Sequence, residues 1–199
     1  MARRSASASP GRPVSGCQSR WTSHPKLDHD SHTKLDHTRG PVLGSVRGVS
    51  QRISLNRRAP GLLKQLIELN NSIKKVAAEA GLDQRLLELL KIRTSQLNGC
   101  AFCLDMHVRE AMESGETHKR IYLLSAWRDA NVYTDQERSA LALADAMTRL
   151  SETQDVADEV YEEALAHLTE DQYTAVGWAV TVMNAFNRLN VTSHTPVPE

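Results

Sequence analysis

Residues 83–107, DQRLLELLKIRTSQLNGCAFCLDMH, decide the fold, because they hold two helical patterns divided by one short break. Asp83 is a favourable N-cap residue, and apolar side chains then recur at helical spacing as far as Leu97. The dipeptide Asn98-Gly99 breaks the pattern, and a second helix is predicted from about Cys100 to Ser114. So short a break allows the two helices to fold back on each other as an antiparallel pair.

Helical periodicity continues on both sides of this pair, and no segment shows the alternation expected of a strand. The last predicted helix carries no formal charge from 172 to 187, which is typical of a helix in the middle of a bundle or at a subunit interface. The sequence therefore predicts an all-α, single-domain helical bundle. The predicted helices start near Pro60, Asp83, Cys100, Thr117, Thr134, Asp155 and Thr169.

Residues 1–50 differ from the rest in composition, being rich in Ser, Pro, Gly, Arg and His and poor in apolar periodicity. Too little apolar surface is available there to offset chain entropy, so we expect a disordered N-terminal extension. A start codon assigned too far upstream, a loosely metal-binding histidine cluster and an organelle transit peptide are the alternatives. The predicted domain spans 51–191, and residues 192–199 form a short polar tail.

Charge and hydropathy weigh against several classes of function. Residues 1–50 carry eight Lys or Arg and three Asp, a net charge of +5, which leaves −5 on the rest of this neutral chain. A mildly acidic body does not attract nucleic acid. No stretch approaches the roughly 20 apolar residues needed to cross a bilayer, and no apolar signal region lies near the N-terminus. We therefore expect no nucleic-acid partner, no membrane insertion and a cytoplasmic location.

The three cysteines of the chain indicate reactive thiols rather than a disulfide framework. Cys100 and Cys103 form a close CxxC pair. Cys100 stands at a predicted helix start, where the helix dipole and unpaired N–H groups favour a thiolate. His107 lies one helical turn after Cys103, so it can accept that thiol's proton and generate the nucleophile. Cys100 is then close enough to form a disulfide with the oxidised Cys103.

Glu88 lies on the preceding helix, which an antiparallel arrangement would carry past the cysteine pair. Its carboxylate could orient His107 there, or exchange protons with Cys100. The spacing alone favours an ordinary exposed acid beside Lys91 or Arg85, and both interpretations stay open.

Two other interpretations of the CxxC pair also stay open. A structural zinc site needs four ligands, and only Cys100, Cys103 and His107 are close together in the sequence. The pair could also be two buried and inert thiols. The helical spacing of the histidine and the break before the first cysteine favour redox chemistry, so we expect neither a metal nor a cofactor.

The spacing E-x11-CxxC-x3-H, formed by Glu88, Cys100, Cys103 and His107, resembles the signature of AhpD-like alkylhydroperoxidases in the carboxymuconolactone decarboxylase family. The flanking segments agree with this resemblance, which covers roughly residues 51–191. The segments that are similar to this family are 85–100, 122–128 and 184–190.

The resemblance implies an AhpD-like helical bundle that assembles as a homo-oligomer, often a trimer or hexamer. It also implies an antioxidant peroxidase or disulfide-reductase activity. Cys103 would attack the hydroperoxide substrate, Cys100 would resolve the sulfenic acid as a disulfide, and His107 and Glu88 would form the proton relay. A dithiol or a protein disulfide reductant would restore the thiols.

One position departs from the better-studied members, which have a histidine immediately before the second cysteine. This chain has Phe102 there, and phenylalanine cannot transfer a proton, so we expect a simpler relay and slower peroxide reduction. Two rival functions remain: an oligomeric redox sensor or scaffold that oxidises once, and a decarboxylase-like enzyme of the same superfamily, which would not need the cysteine pair.

Overall fold

The computed structural model describes residues 52–199, and within that range the chain is a bundle of α-helices without a β-strand. This confirms the all-α class predicted from the sequence. One turn of 3-10 helix, Leu124–Ala126, follows the fifth α-helix. The α-helices are α1 (Leu55–Arg58), α2 (Pro60–Glu79), α3 (Gln84–Asn98), α4 (Ala101–Glu113), α5 (His118–Leu123), α6 (Asp135–Thr148), α7 (Leu150–Thr153), α8 (Asp158–His167) and α9 (Glu170–Ser193).

Most helices begin at the predicted caps, because the capping side chains bind free backbone N–H groups there. The Asp83 carboxylate accepts the N–H of Arg85, and Thr134 and Thr169 each form a capping box. The prediction that Cys100 opens its helix is also confirmed, since this residue is the N-cap of α4.

Three regions differ from the predicted helix pattern. Asp155 is not the start of a helix, because the chain first forms α7 and then turns at Gln154 in the left-handed region, so α8 begins only at Asp158. The four-residue helix α1 is too short to show a periodicity, and the sequence did not reveal it. Helix α9 continues to Ser193, two residues into the segment predicted as a polar tail.

Helix α3 is the centre of the bundle. It packs against α4, α6 and α9, and every residue from Leu86 to Ser95 is buried. This buried run includes the charged residues Glu88, Lys91 and Arg93, so their charges must be compensated inside the protein. Helix α9, whose uncharged segment suggested a central position, packs on α2, α3 and α6 but leaves Trp178 51% exposed.

A buried ion pair joins α3 to α6. Arg93 donates from Nε and Nη2 to the two carboxylate oxygens of Asp145, at 2.6 and 3.0 Å. The Trp127 indole N–H donates to the same carboxylate at 3.3 Å. Because the guanidinium fork engages both oxygens, this contact fixes α3 against α6 while another side of α3 faces α4.

The described residues contain no helix with both the length and the apolar character that a bilayer crossing requires. The predictions for residues 1–50 lie outside the described residues, and they stay predictions. These are the disordered extension, the upstream start codon, the histidine cluster and the transit peptide.

Candidate active site

The two cysteines lie at the turn that joins α3 to α4. Gly99 ends α3 in the left-handed conformation, with φ of 67°, which a residue without a Cβ adopts at little cost. This turn places Cys100 at the N-cap of α4 and Cys103 one turn into the helix. Their Sγ atoms are 2.7 Å apart, and the two side chains are 2% and 1% exposed. Both are free thiols, and a disulfide between them needs only a small side-chain movement.

The close contact makes the two thiols titrate as a pair. The two sulfurs share one proton, and this contact together with the Cys103 backbone N–H lowers the pKa of Cys100 to about 6. Holding that shared proton raises the pKa of Cys103, and burial acts in the same direction. The reduced pair therefore carries one negative charge at neutral pH, at the positive end of the α4 dipole.

His107 is held by carboxylates rather than by a sulfur. Its Nδ1 lies 3.0 Å from Glu88 Oε2 and 3.5 Å from Glu110 Oε2. Burial by itself would lower the pKa of His107, but hydrogen bonds to Glu110 and Glu88 outweigh burial and raise it. A more strongly protonated imidazole is a poor proton acceptor for Cys103, the role suggested by the spacing. Its positive charge instead helps to lower the pKa of Cys100.

Glu88 is fully buried, so the interpretation of this residue as an exposed acid is wrong. Its Oε1 accepts from Lys91 Nζ and from Gln84 Nε2, each at 2.7 Å, while Oε2 faces His107. Burial alone would raise the pKa of Glu88, but the hydrogen bond from His107 and the charge of Lys91 lower it overall. The carboxylate is therefore held ionised against the imidazole.

Lys91 also belongs to this cluster, although no pattern in the sequence indicated a role for it. Its side chain is 2% exposed, and burial lowers its pKa although Glu88 partly offsets the effect. A lysine three residues after a glutamate normally indicates a solvated pair on a helix surface. Only the complete burial of α3 turns this pair into part of the site.

Single ligand atoms of Glu88, His107 and Glu110 lie within 4.8 Å of one another, a spacing that would allow them to bind a metal ion. Two ammonium groups already provide positive charge there: Lys91 binds Glu88, and Lys74 Nζ lies 3.6 Å from Glu110. We therefore interpret the cluster as an ion-paired proton relay. Within the described residues, Cys100, Cys103 and His107 do not come together as a ligand group.

Three asparagines of α9 form a polar row beside the cysteines, and the sequence analysis gave them no role. The Asn190 side-chain amide donates to Cys103 Sγ at 3.4 Å. Asn187 donates to Ser95 Oγ at 3.1 Å and lowers the pKa of both thiols. Asn98 donates to the side-chain oxygens of Asn184 and Asn187. Their spacing of three residues in an uncharged helix was the available signal.

A groove opens next to the first cysteine. It has a volume of about 240 Å³ and lies between the start of α4 and the end of α9. Both cysteines are almost completely buried, and of the two only Cys100 lines this groove. The lining residues are Gly99, Cys100, Ala101, Phe102, Asn190, Val191, His194 and Thr195.

Comparisons with known proteins define the class of this fold and site. The sequence profile of the carboxymuconolactone decarboxylase family matches residues 60–146. The uncharacterized protein YdfG of Bacillus subtilis (strain 168) is 36% identical over 143 residues, which are 72% of this chain and 94% of that protein. This chain therefore belongs to the carboxymuconolactone decarboxylase family.

Solved structures with the same fold include an AhpD-like protein. A protein of unknown function from Agrobacterium tumefaciens, for which an AhpD antioxidant defence role has been suggested, has a TM-score of 0.68 and 35% identity. The match covers 75% of this chain and 99% of that chain. The debrominase Bmp8, in complex with 2,3,4-tribromopyrrole, has a TM-score of 0.62 at 17% identity, covering 71% and 73% of the two chains. The predicted AhpD-like fold is confirmed, and proteins that share it include an enzyme.

Proposed function

We propose that this chain is a thiol-dependent peroxidase, an antioxidant oxidoreductase that reduces hydroperoxides through a Cys103 sulfenate and a Cys100–Cys103 disulfide. The 2.7 Å contact between the two sulfurs at the start of α4 carries the proposal. A thiolate at this position is the nucleophile, and its neighbour is already within reach of the oxidised product.

One proton transfer moves the negative charge of the reduced pair from the Cys100 sulfur to the Cys103 sulfur. The Cys103 proton passes along the sulfur–sulfur contact to Cys100, which leaves the thiolate on Cys103. Asn190 stabilises this form, because its amide N–H already points at that sulfur. The positive charge of His107, which Glu88 holds in place, helps to lower the pKa of Cys100 and so favours an ionised sulfur in the pair.

The oxidation then proceeds in two balanced steps. Cys103 thiolate attacks the terminal oxygen of the hydroperoxide and breaks the O–O bond, which gives a sulfenic acid and an alkoxide. The alkoxide takes the proton held by Cys100 and leaves as the alcohol. Cys100 thiolate attacks the Cys103 sulfur, forms the disulfide and releases hydroxide, which takes a solvent proton to become water. An external dithiol, or a protein disulfide reductant, then reduces the disulfide by exchange.

The opposite order of attack has two observations in its favour. Cys100 lines the groove and carries the lowered pKa, so it could meet the hydroperoxide first with Cys103 as the resolving thiol. The two orders share the same reactants and products. They differ only in which sulfur becomes the sulfenic acid.

Mass spectrometry after one equivalent of tert-butyl hydroperoxide tests the function and the order together. The wild-type protein should lose two hydrogens as the disulfide forms. Cys100→Ser should accumulate a sulfenic acid on Cys103, trapped by dimedone, whereas Cys103→Ser should stay reduced. Fast sulfenic acid formation in Cys103→Ser alone would establish the opposite order. A wild-type protein that stayed fully reduced would refute the peroxidase proposal.

Sustained turnover separates a catalyst from a sensor that oxidises once. With excess dithiothreitol as the dithiol, the wild-type protein should consume many equivalents of hydroperoxide, and Cys103→Ser should consume none beyond background. Formation of the disulfide without further turnover would favour the redox sensor. Far-ultraviolet circular dichroism of each variant checks that the bundle is intact.

We also propose that the working form is a homo-oligomer, a trimer or hexamer. Large apolar side chains remain exposed on α2 and α9 in the single chain, and oligomerisation would bury them. Light scattering coupled to size-exclusion chromatography measures the mass, and a monomer at micromolar concentration would rule out this assembly. The exposed side chains are Leu62, Ile67, Val76, Trp178 and Val191.

A further inference from the structure

His194 has an unusual backbone conformation beside the redox pair. It is the C-cap of α9, with φ of 47° and ψ of 50°, in the left-handed region. Glycine or asparagine is the usual residue at such a position, because a larger side chain places its Cβ close to the following carbonyl. Within the described residues, only Gln154 shares this positive φ among residues other than glycine.

The end of α9 is fixed in this conformation by hydrogen bonds on both sides of the histidine. The His194 N–H donates to Val191 O at 3.2 Å, and the Thr195 N–H donates to Asn190 O at 3.0 Å. The Thr195 hydroxyl also donates to Asn190 Oδ1 at 3.0 Å. The backbone that holds His194 is therefore tied directly to Asn190, the residue that donates to Cys103.

His194 lines the groove together with Cys100 and Phe102. The other walls are mainly apolar, formed by Ala101, Phe102 and Val191, so they suit an alkyl group better than water. An imidazole carries at least one N–H donor in either protonation state. Phe102 offers no donor, and the donors of Asn190 and Thr195 are already bound to Cys103 Sγ and Asn190 Oδ1. His194 is therefore the lining side chain with a ring N–H group that makes no hydrogen bond within the described residues.

We propose that His194 contacts the substrate and donates a hydrogen bond to an oxygen of a small organic hydroperoxide, whose alkyl group lies against Phe102 and Val191. This inference rests on the proposed peroxidase function and names the substrate class for the same site. A hydrogen bond to the leaving oxygen strengthens as that oxygen gains negative charge, so the contact accelerates cleavage of the O–O bond. His194 thus occupies a strained position where a glycine would be more stable.

Replacing His194 by Gly separates this role from a structural one. The variant relieves the left-handed strain, so its melting temperature should rise by roughly 2–4 °C. The second-order rate of disulfide formation with tert-butyl hydroperoxide should fall about tenfold, because one hydrogen bond to the oxygen is lost. Gln154→Gly relieves the same strain far from the groove and should raise stability without changing the rate. Unchanged oxidation by His194→Gly would overturn the proposal.

A matched pair of substitutions tests whether the N–H group itself is required. In His194→Gln and His194→Met, the glutamine and methionine side chains have similar length and pay a similar energetic cost for the left-handed backbone conformation. Only glutamine carries an N–H donor. We expect the glutamine variant to react several-fold faster with tert-butyl hydroperoxide than the methionine variant. Equal rates for the two variants would overturn the hydrogen-bonding role.

Two measurements separate failure of this inference from failure of the proposed function. The iodoacetamide alkylation rate of the reduced protein reports the thiolate without an O–O bond to cleave, so it should change much less in His194→Gly than the rate with tert-butyl hydroperoxide. The wild type should also react faster with tert-butyl hydroperoxide than with hydrogen peroxide. An active wild type that prefers hydrogen peroxide would refute the alkyl-binding groove only, whereas an inactive wild type would refute the peroxidase.

Discussion

Helix α3 carries two buried charge clusters that differ in what their charges can do. At Arg93 and Asp145, a guanidinium that stays protonated is bound through two hydrogen bonds, with Trp127 as a third partner. At Glu88, Lys91 and His107, the groups that meet can each gain or lose a proton, and burial has shifted their pKa values. The first cluster fixes the position of α3, and the second adjusts charge beside the cysteines. Burial of charge alone therefore does not identify a functional site.

The largest expected effect is on stability at the first cluster. Asp145→Asn leaves the Arg93 charge buried without its partner, and such a loss costs about 3–5 kcal/mol. Glu88→Gln should cost less, because Lys91 can release its proton once the carboxylate is gone whereas arginine cannot. Urea unfolding of both variants measures the difference. Equal losses, or a larger loss in Glu88→Gln, would remove the distinction between the clusters.

The next effect is on activity at the second cluster. His107→Ala removes the cation near the cysteine pair and disconnects Glu88 from α4. The pKa of Cys100 should then rise towards that of an ordinary thiol, so the hydroperoxide rate at neutral pH should fall about tenfold with the thiolate fraction. Stopped-flow measurement of disulfide formation gives this rate. Asp145→Asn is the matched comparison, since its folded fraction should react at nearly the wild-type rate. A His107→Ala variant as fast as the wild type would exclude a role for the imidazole.

The pH dependence of alkylation tests the thiolate directly. Because the pKa of Cys100 is lowered to about 6, the thiolate is the minor form at pH 5 and the major form at pH 7. The iodoacetamide rate should therefore rise about tenfold between these pH values and level off by pH 8. An ordinary thiol, with a pKa of about 8.5, would still be gaining reactivity at pH 8. A curve of that kind would contradict the electrostatics of the pair.

The smallest effect is expected from the asparagine row. Asn190→Ala removes the N–H that points at Cys103, so the hydroperoxide rate should fall about fivefold, the value of one modest hydrogen bond. Asn184→Ala on the same helix is the control, because that side chain donates to Thr148 and to a backbone carbonyl, accepts from Asn98 and Arg188, and makes no hydrogen bond to a sulfur. If both variants lose the same activity, the effect comes from packing of α9 and not from the contact with Cys103.

The sequence revealed local features of this molecule better than distant ones. The helix caps at Asp83 and Thr134 and the turn at Gly99 each involve only three or four consecutive residues. A local sequence pattern is therefore enough to predict them. The pairing of Glu88 with His107 followed from the resemblance, while the spacing alone left it open. The burial of Lys91 and the approach of Asn190 depend on how α3, α4 and α9 pack, which no local pattern encodes.

The short helix α1, at the start of the described residues, contacts the end of α9 and so affects the surroundings of the two cysteines. Asn56 donates to Asn190 Oδ1 at 3.0 Å, and the Leu55 N–H donates to Ser193 Oγ at 3.1 Å. The Asn56 contact binds the oxygen of the Asn190 amide and leaves the N–H group for Cys103. A shortened protein that begins at Pro60 would retain every long helix and all four residues of the signature. It would lose the Asn56 hydrogen bond and keep only that of Thr195 to the same oxygen, so the amide would be held less firmly against Cys103.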